Sequence, residues 1–190
     1  MPAIRHRHCY ALEGNDALRV THRIRVPKAY TDLPRIGVRF ALPEGFEEVC
    51  WFGRGPHENY ADRKSGAPVG VYRLSVDDMY VPYVVPQEHG HRTDTRWLTV
   101  SNSEGAGVRI EADGLMEFSV SHYTTEDVEK AAHVNELHRR AEAFVSLDLR
   151  HRGLGTRSCG PDTRPEYRIG PGEYCFSFVL RPFVSEPAGD

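Results

Sequence analysis

Polar, charged and aromatic side chains crowd around two glycines in residues 51–63, WFGRGPHENYADR. Aromatic rings stack on the C–H faces of sugars, and Asn, Glu and Asp hydrogen-bond to sugar hydroxyls. His57, Glu58 and Asn59 are therefore candidate sugar-binding residues. The alternative is a tightly folded loop whose charges pair with one another and with the backbone.

A second polar segment, residues 77–97, contains Tyr, Glu, His, Arg and Trp side chains at high density. It adds Glu88, His89 and Arg92 as candidates for the lining of a polar pocket. The same composition equally fits an extended crossover between sheets, stiffened by prolines and sealed by ion pairs.

A third segment, residues 153–165, has the sequence GLGTRSCGPDTRP. Its glycines and prolines impose an unusual backbone path, with Cys159 at the centre. A nucleophilic cysteine needs a nearby base and a lowered pKa. The chain has ten histidines and the sequence singles out none of them, so we do not assign Cys159 that role.

Carboxylates and histidines elsewhere do not form a recognisable catalytic or metal pattern. A retaining glycosidase needs two carboxylates about 5 Å apart, and the sequence does not pair any of its candidates. His-x-His pairs occur at 6/8 and 89/91, and each pair would share one face of a strand. A tight metal site needs a third ligand, and none is indicated, so we predict no metal. The carboxylate candidates are Glu48, Glu58, Asp62, Glu88 and Asp94.

The elements that must position these residues are mainly strands. Apolar residues alternate with arginines in 18–26 and again in 35–42, which is typical of strands with one buried face. One short helix is predicted over 125–134, after the capping residues TTED. We therefore predict an antiparallel all-β domain. Further strands are predicted at 47–52, 70–76, 96–100, 107–112, 117–122, 143–150, 166–169 and 174–182.

Composition narrows the class of protein. With 24 Lys+Arg against 27 Asp+Glu, the net charge of −3 provides no electrostatic attraction to nucleic acid or to an anionic membrane. No apolar run approaches the roughly 20 residues of a membrane span. The N-terminus lacks a secretory signal and the four cysteines are widely spread, so we expect reduced thiols and a cytoplasmic protein. We expect a single domain over residues 1–190, with 182–190 as a flexible tail.

Four segments together carry a family resemblance, which covers about residues 18–182. In order and spacing they resemble the C-terminal, or small-chain, domain of glycoside hydrolase family 2 β-galactosidases. The segments are WFGRGPHENYADRKSGAPVGVY, DMYVPYVVPQEHGHRTDTRWL, FSVSHYTTEDVEKAAHVNEL and HRGLGTRSCGPDTRPEYRI.

The resemblance implies a fold and places the catalytic residues in a different domain of the enzyme. The fold would be the antiparallel β-sandwich called a galactose-mutarotase-like supersandwich, here incomplete at its N-terminus. In the family, the two catalytic glutamates belong to a TIM barrel, for which 190 residues leave no room. No residue of this chain therefore inherits a catalytic role, and we expect the isolated chain to be inactive. The family's Mg and Na ions are bound elsewhere, so no cofactor is expected here.

The resemblance also assigns one role within this chain. The segment 153–165 corresponds to a loop that reaches the mouth of the barrel's active site, where some members present a sugar-stacking Trp. This sequence has Ser158, Cys159 and Gly160 instead. A thiol provides no stacking face, so Cys159 would shape the aglycone side of the pocket by contact and leave more room.

Three functions follow as alternatives. The chain is expected to complete the pocket of a β-galactosidase that hydrolyses terminal β-D-galactosides such as lactose, with the rest of that enzyme as its partner. Alternatively it is a stand-alone carbohydrate-binding or mutarotase-like module, with His57, Glu58, Glu88 and His89 as the only acid–base candidates. A third alternative is a structural module that supports assembly, including a homo-oligomer formed through an open sheet edge.

Overall fold

The computed structural model describes residues 2–155 and 160–184. Within these ranges, nine strands form one antiparallel sheet. The strands are β1 (Arg5–Glu13), β2 (Ala17–Val26), β3 (Arg35–Leu42), β4 (Glu48–Arg54), β5 (Val69–Ser75), β6 (Arg92–Ser101), β7 (Ala106–Ser121), β8 (Ala143–His151) and β9 (Gly172–Val184).

The sheet branches at β7, its longest strand. The main path runs β1-β2-β9-β7-β6-β4-β5, and a second arm, β8 followed by β3, also pairs with β7. Pairing of β7 with β9 ends at Ala112, and its pairing with β8 begins at Glu117. Gly114, whose φ is +103°, lies between these two points. One strand therefore serves two arms of the sheet.

The two arms pack against each other through their apolar faces. Ile24 and Val26 of β2 form a buried cluster with Ile36 of β3 and Ile169. The alternation predicted for residues 18–26 is confirmed, since Val20, His22, Ile24 and Val26 are all buried. A larger core joins the remaining strands. Its fully buried members include Val49, Trp51, Leu98, Val100, Ile110, Phe118 and Val145.

The all-β antiparallel fold class is confirmed, but three local predictions differ from the structure. Strand β1 was not expected, because its sequence RHRHCYALE lacks an apolar alternation and eight of its nine residues are exposed. The break between the strands predicted at 107–112 and 117–122 is absent, because both lie in the single strand β7. Residues 166–169 form a 3-10 turn (Pro165–Tyr167) and a single bridge from Ile169 to Leu33 in place of a strand.

The predicted helix is present but shorter than expected. Helix α1 spans Thr125–Lys130, and a separate 3-10 turn follows at Val134–Glu136. A capping box starts the helix: Asp127 N donates to Thr124 Oγ1 (3.1 Å) and Thr124 N donates to Asp127 Oδ2 (2.9 Å). None of its six residues is buried. A short helix with no fully buried residue is marginal, in keeping with its early end.

Two remaining features concern the tail and the membrane. Residues 182–184 of the predicted tail belong to β9, and the rest of that tail lies outside the described residues. Among the residues described, no helix has both the length and the apolar character needed to cross a bilayer.

Candidate functional site

The three segments singled out from the sequence become three neighbouring loops. The first loop (residues 55–68) joins β4 to β5, the second (76–91) joins β5 to β6, and the third (152–171) joins β8 to β9. Two carboxylates of the first loop, Glu58 and Asp62, hold the other two loops in place.

Glu58 links the first loop to the second. Gly90 N donates to Glu58 Oε2 (2.8 Å), and the Tyr83 hydroxyl donates to Glu58 Oε1. Arg63 Nη2 forms an ion pair with the same Oε1 at 2.7 Å. The Glu58 side chain is only 10% exposed. This carboxylate is therefore occupied by protein donors, as in the alternative of self-paired loop charges.

Asn59 and Arg92 reinforce the same junction from inside the protein. Asn59 Oδ1 accepts from Thr93 N (2.9 Å), and Asn59 Nδ2 donates to the His57 carbonyl (3.0 Å). Arg92 donates to the carbonyls of Gly90 (2.7 Å) and Pro56 (2.8 Å). Burial lowers the pKa of Arg92 to about 10. In this structure both side chains are buried and position the loop backbone.

Asp62 links the first loop to the third. Its Oδ1 accepts from Leu154 N (3.1 Å) and its Oδ2 from Gly155 N (2.7 Å). The contact requires a glycine at 153, because a Cβ there would lie 2.7 Å from the Asp62 carboxyl group. Sequence reasoning included Asp62 only among the unpaired carboxylates, and its role as a loop anchor emerges from the tertiary structure.

Behind the third loop, a second network stiffens the chain. Arg152 forms two hydrogen bonds to Asp32, at 2.8 and 2.9 Å, and a third to Asp162 at 2.9 Å. It also donates to Thr163 Oγ1 (2.6 Å), which in turn donates to the Gly153 carbonyl (2.7 Å). The ends of the third loop are thereby fixed on both sides of residues 156–159, which lie outside the described part of the chain.

Glu88 lies in a polar cluster that sequence reasoning did not assemble. Its Oε1 is 3.7 Å from His151 Nε2 and its Oε2 is 3.6 Å from Arg35 Nη1. Burial opposes ionisation of Glu88, but contact with His151 and the charge of Arg35 outweigh it and lower its pKa to about 2. Burial works against protonation of His151, yet the Glu88 carboxylate raises the pKa of that imidazole.

The same cluster extends into the sheet. Asp148, which is buried, accepts a hydrogen bond from Arg35 Nη2 at 2.7 Å. Glu117 Oε2 accepts from His151 N (2.6 Å) and lies 3.1 Å from Nε2 of the buried His91. The residues meet because Arg35 and His151 are partners in the β3–β8 register. In the sequence, Arg35 stands at the start of β3 and His151 at the end of β8. Only the pairing of these two strands, which the sequence does not reveal, could have identified the cluster.

The remaining predicted site residues lie at the surface or outside the described residues. His57 is exposed, whereas His89 is half-buried and lies edge-on to Tyr80, with 4.8 Å between ring centroids. Gly160 is exposed. Ser158 and Cys159 lie outside the described residues, so their expected place at a pocket edge stays a prediction.

Two concavities adjoin these loops. The smaller, about 70 Å³, is lined by residues including Arg35, Glu88 and His89. That volume is well below the roughly 300–1,000 Å³ of typical ligand pockets. The larger, about 560 Å³, lies between the first and third loops and is lined by Asp62, Arg63, Leu154, Gly155, Pro161, Asp162, Arg164 and Tyr167.

Comparison with known proteins gives consistent matches to one family. Residues 1–180 match the family model described as beta galactosidase small chain. The β-galactosidase of Vibrio cholerae is 37% identical over 186 residues, which is 97% of this chain and 18% of that protein. The β-galactosidase of Arthrobacter sp. (strain B7) is 40% identical over 152 residues, covering 76% of this chain and 15% of that protein.

The chain thus spans less than a fifth of the length of these curated relatives. Among solved structures, an Escherichia coli K12 protein named as an aldose 1-epimerase aligns with 96% of this chain and 61% of its own. Its identity is 14% and its TM-score 0.44, a likeness that carries no argument about function. The family match and the relatives agree with the order and spacing of the four segments in the sequence. The chain belongs to the β-galactosidase small-chain family.

Proposed function

We propose that this chain is an accessory β-galactosidase domain that supplies one edge of a substrate pocket, whose catalytic carboxylates lie in the rest of the enzyme. The observation that carries the proposal is the tying of three loops into one platform by Glu58 and Asp62. Loops held by a rigid sheet are the usual place for binding residues. Of the two concavities beside these loops, the one of about 560 Å³ lies within the range of typical ligand pockets and the one of about 70 Å³ lies below it.

The proposal assigns the substrate contact to the third loop. Gly155 and Pro161, on either side of residues 156–159, both line the larger concavity between the first and third loops. We propose that Ser158, Cys159 and Gly160 meet the aglycone side of a β-galactoside such as lactose, while His57, at the exposed surface of the first loop, lies nearer the solvent. The cytoplasmic location and the absence of a cofactor for this role remain proposals as well.

A chimera tests the pocket role. The matching 186-residue segment of the Vibrio cholerae β-galactosidase is replaced by this chain, and hydrolysis of a chromogenic β-galactoside is compared with that of the truncated enzyme. We expect the chimera to regain activity and the isolated 190-residue chain to have none. A soluble, folded chimera as inactive as the truncated enzyme would count against the proposal, as would full turnover by the isolated chain.

The same chimera tests the loop assignment. A Cys159→Trp variant adds a large aromatic face where the proposal expects open space, so KM should change more for substrates with bulky aglycones than for small ones. His133→Gln, an exposed change in the segment after α1, is the matched control. Equal KM changes for all aglycones would contradict the assignment of the third loop to the aglycone side of the pocket.

One observation favours the alternative of a stand-alone sugar module. Glu88 and His151 pair a carboxylate with an imidazole next to the smaller concavity, which is the pairing that mutarotase-like proton transfer needs. Titration calorimetry of the isolated chain with galactose and lactose tests it. Saturable heat that Glu88→Gln abolishes would support this module, and its absence would leave the accessory role.

A further inference from the structure

Three histidines converge on one face of β1 and β2. His6 and His8 lie two residues apart on β1, and His22 lies directly opposite His8 in the β1–β2 register. Their ring centroids are 4.2 Å (His6–His8), 5.1 Å (His6–His22) and 5.5 Å (His8–His22) apart. Each can offer a ring nitrogen such that all three nitrogens lie within 4.8 Å of one another. The sequence indicated the first two but could not identify the third.

The spacing fits a metal ion at their centre. Zn–N bonds of about 2.0–2.1 Å in a tetrahedral site place ligand nitrogens roughly 3.4 Å apart. His6 Nε2 and His22 Nδ1 are 2.9 Å apart, and the limit for the whole set is 4.8 Å. Movements on the order of 1 Å, within reach of side-chain rotation on the exposed His6 and His8, would bring three imidazoles to bonding distance.

Packing fixes the position of the His22 ring, which would act as one of the three ligands. Its side chain is 2% exposed, and its ring stacks on Phe176 at 4.8 Å between centroids. The nitrogen of His22 that faces His6 is Nδ1, which shares a 2.9 Å hydrogen bond with His6 Nε2; its other nitrogen, Nε2, is buried and has no partner among the described residues, which is costly for a polar atom.

A second cluster of metal-binding residue types lacks these properties. Glu47, Asp77 and His122 also bring three ligand atoms together. However, the Arg139 guanidinium already binds all three, at 3.0 Å from Glu47, 3.1 Å from Asp77 and 2.9 Å from His122 Nε2. The positively charged guanidinium of Arg139 therefore already lies where a metal ion would bind. Among the described residues, no arginine or lysine side chain hydrogen-bonds to any of the three histidines.

We propose that His6, His8 and His22 form a binding site for one divalent transition-metal ion, of which Zn²⁺ is the type ion, and that the ion ties β1 to β2. Three neutral imidazoles suit Zn²⁺, Cu²⁺ and Ni²⁺ and leave a fourth position for water or another ligand. The site departs from the absence of metal expected from the sequence. It is independent of the proposed pocket role, since its three ligands lie on β1 and β2 and none of them belongs to the three loops.

The test uses the 190-residue chain prepared without a polyhistidine tag. Calorimetric titration with ZnCl₂ and the visible absorption of the Co²⁺-loaded protein report stoichiometry and coordination. We expect one equivalent of Zn²⁺ to bind. His6→Gln and His8→Gln should each raise the Kd for Zn²⁺ by more than about tenfold. His138→Gln, an exposed histidine outside the cluster, should bind as the unchanged chain does.

A second measurement separates ligation from folding. His6 and His8 are exposed, so their Gln variants should keep the far-ultraviolet dichroism of the unchanged chain. Zn²⁺ should slow amide exchange in Arg5–Glu13 of the unchanged chain and not in those variants. One-equivalent binding that survives both substitutions, or no binding by the unchanged chain, would overturn the proposal.

Discussion

At the scale of single residues, two carboxylates of the polar first loop serve the backbone. Glu58 accepts from Gly90 N, and Asp62 accepts from the amides of Leu154 and Gly155. Loop amides have no strand partner, and an amide buried without an acceptor is costly. Side-chain carboxylates supply the missing acceptors. The same residue types that fit a sugar hydroxyl therefore fit the less specific task of loop anchoring.

Asp62→Asn tests that anchoring role. Asn keeps one oxygen but presents an NH₂ group to the second amide, so one loop N–H loses its acceptor. We expect a loss of about 1–3 kcal/mol in the free energy of unfolding, measured by urea denaturation. Amide exchange at Leu154 and Gly155 should accelerate.

The matched control is Asp113→Asn, which removes an exposed ion pair with Arg19. Surface ion pairs contribute about 0–1 kcal/mol, so that change should be small. If the two variants lose equal stability, Asp62 is not an anchor of the third loop.

Glu88→Gln tests the ion pair through its pH dependence. The Glu88 contribution exists above the ordinary pKa of 4.5 and disappears as pH falls towards its folded value of about 2. The His151 contribution is complete below the ordinary 6.5 and disappears as pH rises through its raised folded pKa. The stability difference between the unchanged chain and the variant should therefore be largest between pH 4.5 and 6.5.

We expect that maximum to be about 1–3 kcal/mol, measured by urea unfolding across the pH range. Glu44→Gln, an exposed carboxylate in the turn before β4, should change little at any pH. A difference that is the same from acidic to alkaline pH would mean that Glu88 and His151 do not titrate as a pair.

At the scale of elements, β7 and the β3–β8 arm decide how the site is assembled. Strand β7 pairs with β9 before Gly114 and with β8 after it. The β8–β3 pairing next to it has a register shift at Gly37, beside buried Asp148. Because Arg35 and His151 are partners in this arm, its register determines whether Glu88 meets its basic neighbours.

Gly37→Ala tests the tight register of this arm. A Cβ at residue 37 would lie 1.9 Å from Asp148 Oδ1 and 2.4 Å from the Leu147 carbonyl oxygen. The buried carboxylate must move and its bond to Arg35 must weaken, so we expect a loss of about 1–3 kcal/mol or more. Gly66→Ala is the control, since nothing lies within 4 Å of the added carbon. Equal urea midpoints for the two variants would contradict the packing described.

At the scale of the whole molecule, both ends of the main sheet path are open. Strands β1 and β5 form its edges. Tyr10 and Leu12 on β1 are 66% and 83% exposed, and Val71 on β5 is 63% exposed. Unpaired backbone with apolar side chains at a sheet edge is a template for association. This agrees with the proposal that the chain is an accessory domain of a larger enzyme.

We therefore expect the isolated chain to self-associate, with a sedimentation coefficient that rises with concentration. Leu12→Lys and Val71→Lys should each reduce association, because a charge at an edge strand disfavours pairing with a second chain. Lys28→Glu, in the turn after β2 and outside both edge strands, should leave it unchanged. A monomer at every concentration would show that these edges do not associate.

The sequence alone determined the fold class, most strands and the three loops that matter, because period-two alternation and turn chemistry are local properties. It predicted residues 18–26 correctly and missed β1, where no apolar alternation exists. Only the tertiary structure decided that Asp62 anchors the third loop, that Glu88 meets His151, and that His22 joins His6 and His8. Each of these contacts spans at least 14 residues of sequence and depends on strand register, which alternation along one strand does not encode.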